Sequence, residues 1–333
     1  MRLIICFSIS AFILLFLLWA YQTMIDIRPN VKRPRLDNRA LQLIGELEAR
    51  LRKHVVVLAE DIGPRNLIKP DTLDAAADYI RSFWEDLHYE VTAAGYRVSG
   101  KDCYNLSVEI PGNAVRDEII IVGAHYDSVS YSPGANDNGS AVAALLELSR
   151  IFRDRSVGRT LRFAAFPNEE PPYFKTREMG SLVYAKGCRK RNENIAAMVC
   201  LETIGYYRST PGTQKYPFPL RLFYPRTGNF IAVVGNPNSK PLVKQFTKRF
   251  MENSDFPIQC AAPFGFISGI DWSDHWSFWE CGYRAIMITD TALFRYPYYH
   301  SAQDTADKLT YPEFARATYG IYRGVEGLVE PGR

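Results

Sequence analysis

The chain has 333 residues, of which 47% are hydrophobic, and its formal net charge is +4. This composition excludes an intrinsically disordered chain, and the mixed charges include no basic cluster of the kind that binds nucleic acid. The length accommodates one large α/β domain or two smaller domains.

The N-terminus is apolar enough to be a membrane segment. No charged residue occurs between Leu3 and Ile25, and a helix needs about 20 apolar residues to cross a bilayer. A cleavable signal peptide has a similar apolar centre, but no clear cleavage pattern follows it at residues 19–22. We therefore predict a transmembrane anchor at residues 1–25, a linker at 26–37 and one domain at 38–333. The domain is expected on the exported side, which is periplasmic, extracellular or lumenal.

The six cysteines fit an exported chain only weakly. Cys6 lies in the apolar segment, and the other five form no CxxC motif and leave an odd number for pairing. At most two disulfides can form, and buried free thiols are at least as good an interpretation.

The first elements of the domain are two helices and two strands. Apolar residues recur at three- and four-residue spacing from Ala40 to about Glu60, which predicts a helix. A second helix is predicted from Asp71 to Leu87. Strand-like runs follow at Tyr89–Val98 and Tyr104–Glu109.

The middle of the chain alternates between short apolar strands and amphipathic helices. Strands are predicted at Glu118–Val122, Thr160–Phe166, Ala197–Leu201 and Ala285–Thr289, and helices at Ser140–Arg153, Gly180–Cys188 and Pro241–Glu252. The aromatic span from Tyr206 to Asn229 is expected to be irregular. This alternation predicts an α/β fold in which a mostly parallel, mixed sheet is covered by helices on both faces.

Metal-binding residue types follow the ends of four predicted strands. His125 and Asp127 follow the first, Glu169 and Glu170 the second, Glu202 the third and His300 the fourth, and Asp137 ends a glycine-rich loop after the first. Ligands bind outside the carboxyl ends of the strands in an open α/β sheet. We therefore expect these side chains to meet at one edge.

Imidazoles and carboxylates in this number suit zinc. Asp137 is placed to bridge two ions. Asp127, two residues beyond His125, is placed to accept the second ring N–H of that histidine. Glu169 and Glu170 are adjacent and diverge in extended chain, so one can bind metal while the other moves the proton of an attacking water.

The motifs around these residues resemble those of metallopeptidase family 28, which contains di-zinc aminopeptidases, some carboxypeptidases and the glutaminyl cyclases. The similar segments are HYDS…GANDNGS at 125–140, NEE at 168–170, MGS at 179–181, ETIGYY at 202–207, Ser273–Ala292 and YYHSAQDTADKL at 298–309. They extend, in the family's order, from about His54 to Leu309.

The resemblance implies a role for each of these residues. His125 and Glu202 would bind one zinc, Glu170 and His300 the second, and Asp137 both; Glu169 would be the general acid/base and Asp127 the partner of His125. Glu202 departs from the family pattern, because many members have aspartate there, and its longer side chain changes the geometry at that position. We therefore expect an exported, membrane-anchored zinc exopeptidase with two ions per chain, most simply an aminopeptidase that acts on peptides.

Three alternatives stay open. A glutaminyl cyclase of the same fold would hold one zinc, and a carboxypeptidase would need a cation for the substrate carboxylate, with Arg295 and Arg177 as candidates. A binding module without catalysis would be expected to lose ligands, and all five are present.

Other polar residues receive structural interpretations. Ser273 or Asp274 is expected to cap the aromatic helix that begins there, and Asp304 and Asp307 to form turns and helix starts. Asp290 could orient a group of the site. The aromatic residues near His300 either line a substrate pocket or pack the loop; these are Phe294, Tyr296, Tyr298 and Tyr299.

Overall fold

The computed structural model describes residues 21–25, 27–218, 220–265 and 267–330. Its α-helices are α1 (Asn38–Val56), α2 (Pro70–Asp86), α3 (Ala141–Phe152), α4 (Gly180–Lys190), α5 (Lys240–Asn253), α6 (His275–Glu280) and α7 (Tyr311–Val329). Its strands are β1 (Thr92–Val98), β2 (Lys101–Ile110), β3 (Val115–His125), β4 (Arg159–Phe166), β5 (Asn194–Glu202), β6 (Ile231–Gly235), β7 (Ile258–Ala261) and β8 (Ala285–Thr289).

The predicted membrane anchor at residues 1–25 lies outside the described residues except for one helical turn at Tyr21–Ile25. Among the residues that are described, no helix combines the length and the apolar composition needed to cross a bilayer.

The eight strands form one mixed sheet in the order β1-β2-β4-β3-β5-β8-β6-β7. The four central strands β4, β3, β5 and β8 are mutually parallel, whereas β1, β2 and β6 each join an antiparallel pair. The predicted α/β class with a mostly parallel, mixed sheet is therefore confirmed. The parallel centre brings the carboxyl ends of four strands to the same edge.

Helices cover both faces of the sheet, as the apolar runs predicted. Alternate residues of β3 point to opposite sides, so that Ile120 and Val122 join the core under α1, α2, α3, α5 and α7. Ile119 and Ile121 join a smaller core under α4 and α6. Burial on both faces explains why the apolar runs of the central strands are nearly continuous rather than alternating.

Helix α1 shows how closely local pattern and packing agree. The side chain of Asp37 accepts a hydrogen bond from the Ala40 amide at 2.8 Å and caps the first turn. Leu47, Leu51 and Val55 are fully buried along one face. The helix continues as a wider turn to Ile62 and stops at Gly63, whose φ of 80° favours glycine.

Three elements were not predicted from the sequence. β6 and β7 have only five and four residues, which is too few to give a clear periodic signal. Helix α7 contains three glycines, and glycine has a low helix propensity. Tertiary packing stabilises this helix despite its low propensity, because α7 lies against α1 and α5 in the main core.

Four of the cysteines are free thiols, which agrees with the second of the two interpretations above. Cys103, Cys188 and Cys200 are buried, and Cys281 is partly exposed. They carry no disulfide, and Cys103 and Cys200 pack in the two cores.

Replacing Gly320 of α7 by alanine is expected to lower the free energy of unfolding by about 1–3 kcal/mol. A Cβ atom at this position would lie 2.2 Å from the buried ring of Phe250, so the helix α5 would have to move. The matched control is Gly45→Ala in α1, where a Cβ atom meets nothing within 4 Å. That control should gain up to about 1 kcal/mol from helix propensity. Equal stabilities of the two variants in urea unfolding would contradict this packing argument.

Candidate metal centre

The parallel strands deliver the predicted residues to one edge. His125 is the last residue of β3 and pairs with Phe166, the last of β4. Glu202 is the last residue of β5 and pairs with Thr289, the last of β8. Glu169 and Glu170 follow β4, and His300 lies in the loop after β8. The expectation that these residues meet at the carboxyl ends of the strands is therefore met.

Five of these residues form two groups that share Asp137. In the first, His125 Nε2 lies 3.5 Å from Asp137 Oδ1 and 3.2 Å from Glu202 Oε2. In the second, His300 Nε2 lies 3.1 Å from both Asp137 Oδ2 and Glu170 Oε2. The ligand atoms of each group lie within 4.8 Å of one another. Asp137 thus directs one carboxylate oxygen to each histidine.

A third group of candidate ligand atoms joins His125, Glu169 and Glu170 within the same 4.8 Å limit. Glu169 Oε2 lies 3.8 Å from His125 Nε2, which is farther than either carboxylate of the first group. Asp137 and Glu202 therefore approach His125 Nε2 more closely than Glu169 does, and Glu169 lies beside this group of ligand atoms.

Several buried atoms of the centre lack hydrogen-bond partners. They are His125 Nε2, Asp137 Oδ2, Glu170 Oε1 and His300 Nε2. Buried polar atoms are nearly always satisfied in proteins, so a cluster of unsatisfied ones indicates a bound group. Each of these atoms is a nitrogen or carboxylate oxygen of the type that zinc accepts. The donor set therefore fits zinc.

The charges of the centre also indicate a bound cation. Burial strongly raises the pKa of Glu169, and Glu170 and Glu202 add to that rise although His125 opposes it. Burial and the neighbouring Asp137 raise the pKa of Glu170 to about 8. Burial acts against a charged His300, yet Asp137 and Glu170 raise its pKa to about 11. A cation would relieve this excess of buried negative charge.

Asp127 lies beside His125 and also holds the two glutamates. Its backbone carbonyl makes a hydrogen bond of 3.2 Å with His125 Nδ1. Its Oδ1 is 3.4 Å from His125 Nδ1. The same carboxylate accepts hydrogen bonds from the backbone amides of Glu169 at 3.1 Å and Glu170 at 3.0 Å. Asp127 thus ties the end of β3 to the segment after β4, a contact that the i, i+2 spacing did not indicate.

Asp304 holds the Asp137 loop, whereas the sequence suggested only a turn. It is fully buried and accepts hydrogen bonds from the backbone amides of Asn136 at 2.8 Å and Asp137 at 3.1 Å. The Tyr296 hydroxyl donates to the same carboxylate. Asp290 accepts a hydrogen bond from Asn136 Nδ2 at 2.9 Å, which agrees with the suggestion that it orients a group of the site.

The helix-capping interpretation of Ser273 and Asp274 is wrong. Neither side chain caps α6: Ser273 Oγ donates to Glu202 Oε2 at 2.7 Å, and Asp274 makes no side-chain cap bond. Asp274 is fully buried, and burial raises its pKa to about 7. Ser273 therefore orients a candidate ligand from 71 residues away, which a local capping pattern cannot reveal.

An apolar cavity opens beside the first group. The cavity is open to solvent, and Glu202 lies in its wall. Apolar and aromatic side chains form most of the remaining lining, including Phe230, Val233, Ile270, Trp272, Met287 and Phe294. Of the aromatic residues near His300, Phe294 and Tyr299 line this cavity, and Tyr299 also stacks on His300. Tyr296 and Tyr298 pack the loop instead.

Arg65 fixes the loop that carries Asp137, and sequence analysis did not single it out. It is completely buried, and its guanidinium donates to the backbone carbonyls of Leu58, Gly63, Tyr126, Pro133 and Gly134. Burial lowers its pKa to about 10, so it stays charged at neutral pH. Its planar fork of five N–H donors suits this cluster of carbonyls.

Replacing Arg65 by methionine is expected to lower the free energy of unfolding by about 3 kcal/mol, because buried carbonyls lose charged donors. Lysine at this position should recover only part of the loss, since it lacks the fork. Arg81→Met is the control, because the sole ion pair of Arg81 with another described residue is the exposed one with Asp78. For this variant we expect a loss below about 1 kcal/mol. Comparable losses for Arg65→Met and Arg81→Met in urea unfolding would contradict the proposed anchoring.

Comparison with known proteins agrees with the resemblance noted in the sequence. A model of peptidase family M28 matches residues 105–324. The chain is 35% identical over 329 residues to a protein of Escherichia coli (strain K12) that is named only as uncharacterized protein YfbL. That alignment covers 96% of this chain and 97% of the relative.

Solved structures with a similar fold include a zinc aminopeptidase and a glutaminyl cyclase. The zinc aminopeptidase BSAP from Bacillus subtilis superposes with a TM-score of 0.68 at 14% identity, covering 85% of this chain and 95% of that one. The glutaminyl cyclase of Fimbriiglobus ruber gives a TM-score of 0.60 at 19% identity, covering 90% and 98%. At these identities the similarity establishes the fold.

Proposed function

Because this chain belongs to peptidase family M28, we propose that it is a zinc-dependent aminopeptidase that removes apolar N-terminal residues from peptides. One observation supports this most: two groups of candidate ligands share Asp137, and Glu202 of the first group also forms part of the wall of the apolar cavity. An N-terminal side chain in that cavity would leave its amine and first carbonyl beside the carboxylates.

In this proposal every residue of the centre has a role, and Asp137 serves both ions. His125, Asp137 and Glu202 would hold one zinc, and Asp137, Glu170 and His300 a second. Zinc, when bound, lowers the pKa of water and polarises a carbonyl. Glu169 would accept the proton of the attacking water and return it to the leaving amine. Asp127 holds the backbone of Glu169 in place through the amide hydrogen bond described above.

A carboxypeptidase is supported less well, because Arg295 is engaged elsewhere. Its guanidinium donates to Gln214 Oε1 at 2.7 Å and to the Phe230 carbonyl at 2.7 Å, and it is buried. Among the described residues that line the cavity there is no lysine or arginine to hold a substrate carboxylate. A free amine is therefore the better partner for this acidic site.

A panel of aminoacyl anilides tests the proposed activity. We expect leucine and phenylalanine anilides to be hydrolysed at least tenfold faster than aspartate and lysine anilides, because the cavity is apolar. N-acetylated versions should be inert, a chelator should abolish hydrolysis, and added zinc should restore it. Hydrolysis of the acetylated substrates would overturn the aminopeptidase assignment. Cyclisation of an N-terminal glutaminyl peptide with release of ammonia would favour the cyclase instead.

The proposal also places the enzyme at a membrane. Residues 1–25 would be the anchor and residues 38–333 the exported domain, on the basis of the uncharged segment from Leu3 to Ile25. Extraction of membranes with alkaline carbonate tests the anchor, since an integral protein stays in the pellet. Protease treatment of sealed vesicles of known orientation tests on which side the domain lies.

A further inference from the structure

One part of the chain is basic and contains no acidic residue. Residues 203–251 contain no aspartate or glutamate, whereas the whole chain has 36 acidic residues. The same stretch carries eight cationic residues: Arg208, Lys215, Arg221, Arg226, Lys240, Lys244, Lys248 and Arg249. They are too dispersed in sequence to form a basic block. The fold places them on the irregular segment after β5 and on α5, at the β6–β7 end of the sheet.

Exposed apolar side chains gather at this end of the molecule. Of the nine large hydrophobic residues that are exposed in the described part of the chain, six lie on three loops around the cavity mouth: Phe218, Leu222, Phe223, Phe264, Trp272 and Leu293. Two of these loops are joined by a hydrogen bond from the Lys215 amide to the Phe294 carbonyl at 2.8 Å. Patches of this kind mark contact with a protein or a membrane.

The N-terminal segment enters the fold at the same place. The Met24 carbonyl accepts a hydrogen bond from the Ala262 amide at 2.9 Å, directly after β7. The Tyr224 hydroxyl lies 3.5 Å from the Ile25 carbonyl, and Ile27 lines a groove with Lys244 and Lys248. The docked residues therefore lie between the apolar loops and the basic helix α5.

We propose that this end of the molecule is a membrane-binding face that rests on a bilayer containing anionic phospholipid. The face consists of residues 215–218 and 220–226, residues 264–265 and 267–272, Leu293 and the lysines Lys244 and Lys248 of α5. Exposed aromatic rings suit the headgroup region of a bilayer. Lysines and arginines near the surface are attracted to anionic headgroups. The inference rests on the predicted anchor and is independent of the proposed peptidase activity.

The short distance from the predicted anchor and the positive charge of the face favour a bilayer over another protein as its binding partner. Ala20, the end of the almost wholly apolar stretch, precedes the docked Met24 by four residues, which span at most about 14 Å. A second copy of the chain would bring two cationic faces together, which is unfavourable. Few acids oppose the face. Asp271 lies within it and pairs with Lys175. Glu252 lies 3.7 Å from Lys248 and 3.2 Å from Arg249, and Asp255 pairs with Arg316. Lys244 and Arg221 make no ion pair with any other described residue.

Quenching of Trp272 measures the contact directly. The full chain is reconstituted into vesicles of phosphatidylcholine brominated on its acyl chains, with or without phosphatidylglycerol. The difference in emission between wild type and Trp272→Phe isolates this residue, because Trp19 of the anchor is present in both proteins. We expect the emission of Trp272 to fall by at least half relative to non-brominated vesicles when phosphatidylglycerol is present, and by less without it. Lys244→Gln combined with Lys248→Gln should reduce that lipid dependence.

Variants of the apolar loops test the face itself. Phe218→Glu combined with Leu222→Glu changes two side chains that are 71% and 63% exposed, so the fold should persist and the quenching should be lost. The matched control is Ile68→Glu, because Ile68 is 74% exposed. Ile68 lies near the other edge of the sheet, since the carbonyl of its neighbour Leu67 accepts a hydrogen bond from Lys101 of β2. This control should behave as wild type.

Two results would overturn the proposal. One is equal emission of Trp272 in brominated and ordinary vesicles of both compositions. The other is a crosslinked dimer through this face together with absent quenching, which would make it an interface between copies. Because fluorescence is read without substrate, a protein that proves inactive on peptides still gives a clear answer about the membrane.

Discussion

Replacing Glu169 by glutamine is expected to lower turnover by about 10²- to 10⁴-fold while the zinc content stays at the wild-type level. Glutamine has nearly the same shape as glutamate but cannot accept the proton of an attacking water. The backbone amide of Glu169 would still bind Asp127, because that contact does not involve the changed side chain. The measurement is kcat on a leucine anilide together with zinc analysis of the same sample.

The control for this variant is Glu178→Gln, in the same segment between β4 and α4. The side chain of Glu178 is partly exposed, and we assign it no part in the metal centre. It should retain wild-type turnover. The alternative grouping of His125, Glu169 and Glu170 makes a different prediction, in which Glu169→Gln loses zinc as well as activity. A variant with normal zinc and near-normal turnover would remove Glu169 from the mechanism altogether.

The location of the centre could be predicted from the sequence because the order and direction of the strands determine it. Each of β3, β4, β5 and β8 contains a short apolar run, and a histidine or acidic residue ends or follows each strand. Parallel strands bring such residues to one edge. The strand from Ala285 to Thr289 was predicted with both ends correct. These runs are visible in the sequence because burial on both faces makes the centres of the strands nearly continuously apolar.

The supporting contacts could not be predicted, because they join residues that are far apart in the chain. Ser273 and Glu202 are separated by 71 positions, and Asp304 and Asp137 by 167. In the sequence Ser273 stands before an aromatic helix and Asp304 stands in a polar loop, so capping and turn formation were the natural local interpretations. Only the folded sheet shows that both side chains face the centre.

Helix α7 was missed for an energetic reason. Its glycines Gly320 and Gly324 lower helix propensity, yet they allow α7 to approach Phe250 and Phe246 of α5 closely. The packing of the two helices compensates for the weak local preference. The sequence of α7 alone does not reveal that α5 packs against it and stabilises it.

Replacing Asp137 by alanine is expected to have the largest effect on metal content, because this carboxylate faces both candidate groups. Its two oxygens lie 3.5 Å from His125 Nε2 and 3.1 Å from His300 Nε2. Losing it leaves two ligands in each group, and we expect zinc affinity to fall by about 100-fold or more at both. Zinc analysis after dialysis should therefore find two ions per wild-type chain and fewer than one in Asp137→Ala.

His300→Ala separates the two groups, because it removes a ligand from the second alone. His300 retains 29% of its side-chain exposure, whereas His125 retains 1%, so the second ion should also be the first to leave under a chelator. We expect one zinc per chain in His300→Ala. His88→Asn is the control, since His88 is exposed and its φ of 59° is one that asparagine tolerates. Two ions in His300→Ala would show that this histidine is not a ligand, and one ion in wild type would favour the single-metal chemistry of a cyclase.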